Sequence, residues 1–100
     1  MLAATITRRE LLNMPRILGF HEVKDVQHWV SSPKREEFFG PLGVTEIKTY
    51  TDPQGSNRVG LTMNVADMDA VMGAMQTQAG ADAMEYDGVI PETLVILVES

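Results

Sequence analysis

Two histidines stand seven residues apart in RILGFHEVKDVQHWV, residues 16–30, and the second adjoins the chain's one tryptophan, Trp29. An imidazole titrates near pH 6.5, so His21 could take a proton from an acidic phenol or from a carbon next to a carbonyl. Tyr50, at a strand end, adds a phenol able to donate a hydrogen bond to a bound carbonyl, and equally suits a surface position. The plainer alternative for His21 is a histidine satisfied by a backbone or carboxylate neighbour at a sheet edge. A metal site made of His21, Glu22 and His28 is disfavoured, because successive strand residues point to opposite faces. Cysteine is absent, which removes thiolate chemistry and cysteine-based zinc sites. Neither a glycine-rich phosphate loop nor a nucleophile beside its base occurs, so no nucleotide cofactor is expected.

The elements that must position these groups follow from periodicity. Ile17 to Val23 is a short apolar run suited to a buried strand. Asp25 offers a helix N-cap, with Val26, Trp29 and Val30 at helical spacing after it. Ser32-Pro33 interrupts that helix and restarts it as KREEFF, which stops at Gly40-Pro41. Val44 to Thr51 reads as a strand, and DPQGSN at 52–57 is dense in turn formers. Arg58 to Val65 alternates strictly, placing Val59, Leu61, Met63 and Val65 on one face. Asp67 caps a second helix whose stripe is Met68, Val71, Met72, Met75 and Ala79, ended by Gly80. ADAMEYD forms a short helical piece, and TLVILV at 93–98 is the last strand.

Strand parity groups His21 with Ile17, Gly19 and Val23 and leaves open which face of the sheet that set occupies. Trp29, Phe38, Tyr50, Met63, Met72 and Met75 can line a pocket for a flat apolar ligand, since aromatic rings and flexible thioethers make an adaptable wall. The same residues equally suit an ordinary core. Asp52, Asp67 and Asp69 read as turn or capping residues, and Glu36-Glu37 as a solvated face.

At 100 residues, 44% hydrophobic and 22% charged, the chain has the composition of one globular domain. Residues 1–50 carry seven basic and six acidic side chains, and residues 51–100 carry one and eight. Without a cluster of lysine and arginine, neither nucleic acid nor an anionic membrane is an expected partner. TRRELLN at 7–13 is similar to the start of a twin-arginine export signal, but Pro15, Arg16, His21 and Glu22 break the apolar segment such a signal needs. With no run long enough to cross a membrane, a cytoplasmic location is expected. Residues 1–13 read as an N-terminal extension forming a short helix, with Thr7 and Glu10 at capping-box spacing. Met14 is a second candidate start, and the domain runs over 14–100.

The order β-α-β-β-α-β predicts the α+β, ferredoxin-like arrangement: a four-stranded antiparallel sheet with both helices on one face. The uncovered face predicts a homodimer packed sheet against sheet. MPRILGFHEVKDVQHW, with His21, the Val23-x-Asp25 turn and Trp29, resembles the dimeric α/β barrel family, in particular antibiotic-biosynthesis monooxygenase-like proteins. GADAMEYDGVIPETLVILVE resembles that family's closing pattern of short helix, glycine-valine turn, proline and strand. The resemblance spans about Met14 to Glu99. It implies a dimer with a small pocket between sheet and helices in each subunit. The activities it implies include cofactor-free oxygenases of aromatic polyketides, quinone-related enzymes, isomerases and haem-degrading enzymes. Haem-degrading members use an Asn, Trp and His set with the histidine on the second helix, where this chain has none.

Two functional expectations follow. One is a cofactor-independent oxygenase or isomerase of a small aromatic or quinone-like substrate, with His21 or Tyr50 assisting proton removal. The other is a non-catalytic homodimer that binds a small apolar molecule or only itself.

Overall fold

The computed structural model describes residues 15–100; the expected helix and extension over residues 1–13 lie outside them. Strand β1 spans Arg16–Glu22, β2 Thr45–Thr51, β3 Arg58–Asn64 and β4 Val95–Val98. They form one antiparallel sheet in the order β2-β3-β1-β4, so the first strand lies inside the sheet and pairs with both β3 and β4. This is the ferredoxin-like order that β-α-β-β-α-β predicts, with each of the two helical segments broken into two pieces.

The first segment comprises α1 (Val26–Ser31) and α2 (Lys34–Phe39). Asp25 caps α1 by accepting from the His28 amide at 3.1 Å. Ser32 supports the restart from one position outside the cap. Pro33 occupies the cap position without a side-chain bond, while Ser32 Oγ accepts from the Lys34 amide at 3.1 Å. A 3₁₀ turn over Gly40–Leu42 ends at Gly43, whose φ of +80° is the left-handed conformation that glycine adopts without strain.

The second segment corrects one expectation. The helix capped by Asp67, α3, covers only Met68–Met75, and Thr77 caps a separate helix α4 over Gln78–Tyr86. Gly80 therefore does not end α3; it lies in the first turn of α4, where the two helices meet. A Cβ there would stand 2.7 Å from the carbonyl oxygens of Ala74 and Met75. The stripe thus divides between two helices, with Ala79 on the second. ADAMEYD is the larger part of α4, which packs against both α2 and α3.

The hairpin between β2 and β3 turns through residues 52–57, where Gly55 has φ +81°. Asp52 accepts from Ser56 Oγ at 2.5 Å and from the Gln54 amide at 2.8 Å. Those bonds, led by the one from Ser56, hold its carboxyl below the usual range.

Ile17, Gly19 and His21 point from β1 toward the helices, beside Leu61 and Met63 of β3. The buried residues form two clusters on that side: Ile17, Val44, Met63, Val65 and Val71, and then Val23, Trp29 and Val59. The opposite face stays open. Leu18, Tyr50, Val95 and Leu97 lie there 39%, 49%, 39% and 51% exposed, too much for a finished interior surface.

Candidate functional site

Between the sheet and the helices lies a cavity of about 90 Å³. Its floor is the inward face of β1, where Gly19 sits between Ile17 and His21. A Cβ built on Gly19 would meet the Val95 carbonyl oxygen at 3.9 Å and Leu61 at 4.0 Å, ordinary contact distances, so the position would hold a methyl group without a clash. The walls come from Trp29 of α1, Phe38 of α2, Met63 of β3, and Met72 and Met75 of α3. The structure thus brings together His21 and five of the six residues expected to line a pocket. Met72 is 40% exposed and so stands nearer the rim than Met63, which is 2% exposed.

Tyr50 is not part of this set. β2 places it on the open face opposite Gly60, where its hydroxyl lies 3.3 Å from Thr62 Oγ1. The sheet itself separates it from the cavity. A one-residue parity difference decides this: Thr49 and Thr51, not Tyr50, pair with the inward-facing Leu61 and Val59. His28 also stands apart, exposed, with Nε2 2.7 Å from the Tyr86 carbonyl oxygen and its ring 5.0 Å from the Tyr86 ring. Among the described residues no three His, Cys, Asp or Glu side chains gather as metal ligands.

His21 is only 5% exposed. Its Nδ1 lies 3.3 Å from the Glu22 carbonyl oxygen. A carbonyl can only accept, so Nδ1 carries the hydrogen and Nε2 keeps a free lone pair. Burial pushes the imidazole below its ordinary value, and the Arg35 cation adds to the fall; the Glu22 carbonyl and Asp87 oppose it. The ring is therefore neutral at pH 7 and available as a proton acceptor. It meets Trp29 edge to face, with centroids 5.6 Å apart at 78°.

On the other side of the cavity wall is a buried polar group that sequence reasoning missed. Arg35 is 6% exposed and stacks its guanidinium over Trp29, 4.2 Å from the ring centroid. Its Nη2 donates to the carbonyls of Trp29 at 2.7 Å, Val30 at 3.4 Å and Ser32 at 3.5 Å. The Trp29 carbonyl also accepts from the Ser32 amide at 3.3 Å, so Arg35 reinforces the end of α1 where the proline breaks the helix. Nη1 pairs with Asp87 Oδ2 at 3.4 Å, and Ser32 Oγ donates to Asp87 Oδ1. Arg35 Nε is buried and has no hydrogen-bond partner among the described residues. The signal for Arg35 was present: residues 35, 38, 39 and 42 repeat at helical spacing, so Arg35 begins the inward stripe completed by Phe38, Phe39 and Leu42. Asp87, in the link between Tyr86 and Gly88, gave no periodic signal at all.

No protein-family model matches the sequence, and no curated protein matches it. Solved structures do resemble it in fold. A Bordetella bronchiseptica protein named for the antibiotic biosynthesis monooxygenases aligns with a TM-score of 0.66 at 15% identity, over 87% of this chain and 95% of that one. A Nitrosomonas europaea protein of the same name gives 0.64 at 11%, over 88% and 89%. A Methanosarcina mazei Go1 protein, described only as conserved, gives 0.59 at 10%, over 89% and 95%. The chain has the ferredoxin-like fold of the antibiotic-biosynthesis-monooxygenase-like proteins. At these identities the likeness is one of backbone and assigns no residue its role.

The ion pair generates a test. Removing one partner of a buried pair strands the other charge, at a cost of about 3–5 kcal/mol. Asp87→Asn, which keeps the side-chain shape, is expected to lower unfolding free energy in urea by that amount. A change under about 0.5 kcal/mol, the range of an ordinary surface substitution, would show that the pair holds nothing together.

Proposed function

We propose that the chain is a cofactor-independent oxygenase or isomerase acting on a small aromatic or quinone-like molecule, with His21 as the base. The observation that carries this reading is a buried neutral imidazole, its Nδ1 engaged by the Glu22 carbonyl, at the wall of an apolar cavity. A proton leaves the substrate's hydroxyl or activated carbon for His21 Nε2, and the electron pair stays delocalised over the ring system. In an oxygenase that electron-rich anion is itself the reductant for dioxygen. In an isomerase the proton returns to a different atom. Trp29, Phe38, Met63, Met72 and Met75 would bind the ring and exclude water, which strengthens each polar contact inside. The names of the fold neighbours, monooxygenases by designation, agree with this class of reaction.

The second reading, a non-catalytic module binding a small apolar molecule, is favoured by the cavity's small volume. It shares the cavity and lacks only the proton transfer. His21→Ala separates the two. The expected result is loss of turnover with an unchanged circular dichroism spectrum and near-wild-type binding of an apolar ligand; turnover equal to wild type would remove His21 from the mechanism.

We also propose that a second copy of the chain covers the open sheet face. Leu18, Phe20, Val95 and Leu97 make a contiguous apolar surface by their pairing across β1 and β4. Around it stand Arg16, Lys48 and Arg58 together with Glu22 and Glu46, a mixture of signs that suits a two-fold related copy better than a polyanion. Leu97→Asp puts a charge at the centre of that patch. Light scattering should report twice the chain mass for the wild type and the single-chain mass for the variant; a monomeric wild type would refute the assembly.

A further inference from the structure

Most of the cavity wall is held in place by the fold itself. The floor is the hydrogen-bonded sheet. The corner at α1 is filled by Trp29, 1% exposed, and by the buried pair of Arg35 and Asp87. Backbone closes the seam between α3 and α4, where a Cβ on Gly80 would already stand 2.7 Å from the carbonyl oxygens of Ala74 and Met75. The seam between α2 and α4 is built differently. Outside it runs a groove of about 460 Å³, and Lys34, Phe38 and Ala83 border both that groove and the cavity. There the wall is one layer of side chains thick, and α2 supplies a phenyl ring to it while α4 supplies only a methyl group.

We propose that the seam between α2 and α4 is the entrance to the cavity, with Phe38 as its gate and Ala83 as the small residue that leaves the opening. This entrance presupposes the reading of the cavity as a ligand site and adds the route by which a ligand arrives. Lys34 and Phe38 stand four residues apart on α2, and so share one face of it; Ala79 and Ala83 are related in the same way on α4. Both alanines border the groove, so a change of rotamer at the half-buried Phe38 has space to carry the ring outward. The closed position is steadied by two contacts. Phe38 meets Phe39 edge to face, with centroids 5.1 Å apart, and the Lys34 ammonium reaches from α2 to within 5.0 Å of the Tyr86 ring centroid on α4. Tyr86 is 50% exposed, and a cation–π contact at an exposed site is weak, so it restrains the seam without locking it. The rival way in lies at Met72, on the rim at α3, which does not border the groove.

Trp29 is the chain's one tryptophan and lies in the cavity wall, so its emission reads arrivals directly. Acrylamide quenching of the full chain, followed by fluorescence lifetime, gives the rate at which a small neutral molecule reaches that ring. Phe38→Ala should raise the quenching rate constant about threefold or more and Ala83→Leu should lower it about twofold, both with an unchanged near-ultraviolet circular dichroism spectrum, as expected when one side chain gates access. A second variant reaches the seam from outside and leaves the core intact. The chain has no cysteine, so Lys34→Cys offers a single thiol for labelling. N-cyclohexylmaleimide on that thiol should slow quenching relative to the same variant carrying only a thiomethyl group from methyl methanethiosulfonate. Equal quenching in wild type and Phe38→Ala, a larger rise in Met72→Ala than in Phe38→Ala, or identical quenching with the two labels would each overturn the entrance. Turnover is measured separately. Quenching that follows Phe38 and Ala83 in a protein that turns over no aromatic substrate would leave the entrance standing and defeat the enzyme reading. His21-dependent turnover with a kcat/KM untouched by Ala83→Leu and by the bulky label would do the reverse.

Discussion

The ion pair between Arg35 and Asp87 is the interaction on which the geometry of the cavity depends. Arg35 gathers the Trp29, Val30 and Ser32 carbonyls where Ser32-Pro33 breaks the first helix, and Asp87 anchors the end of α4 to the same point. Three helical pieces are thereby tied at one corner, with Trp29 held between the guanidinium and His21. Burying two charges is costly, and a well-packed apolar substitute can be as stable. The pair is better understood as fixing one arrangement of the helices than as a net source of stability. A side effect of that arrangement is the spare Nε–H, since the fork of Arg35 is aimed at carbonyls and carboxylate and its remaining donor is left over.

The sheet divides the labour of the molecule between its faces. Alternation along β1 sends Ile17, Gly19 and His21 to the helices and Leu18 and Phe20 to the other side. The cavity is thereby confined to the side that the helices cover, and the open apolar face to the side where none cover the sheet. The glycine at position 19 matters because of its place in that alternation. A side chain there would project into the cavity that Gly19 lines. Fold alone does not dictate a reaction, and proteins sharing this backbone at 10–15% identity are expected to differ in what their cavities hold.

Much of this was legible in the sequence, for physical reasons that can be named. Strict alternation in residues 58–65 and the helical spacing of Val26 and Trp29 are burial patterns, and burial decided the elements they belong to, while Val30 of the same stripe is exposed. The wall residues Trp29, Phe38, Met63, Met72 and Met75 could be chosen because large apolar side chains on inward stripes must meet. Tyr50 was open between a site role and the surface; the hairpin register that pairs it with Gly60 puts it on the open face, and a register of that kind leaves no mark in composition. Gly80 suggested a helix end, yet its smallness serves the close approach of α3 and α4. Arg35 and Asp87 are 52 residues apart in sequence, and nothing local announces that they meet.

The central claim is that His21 presents an unprotonated Nε2 to a dry cavity, and nitrogen-15 NMR of the labelled imidazole across a pH titration addresses it directly. The account predicts the tautomer with hydrogen on Nδ1 and a titration midpoint below the ordinary histidine value of 6.5. A midpoint at or above that value, or hydrogen on Nε2 of the neutral ring, would contradict it and leave the cavity without its base.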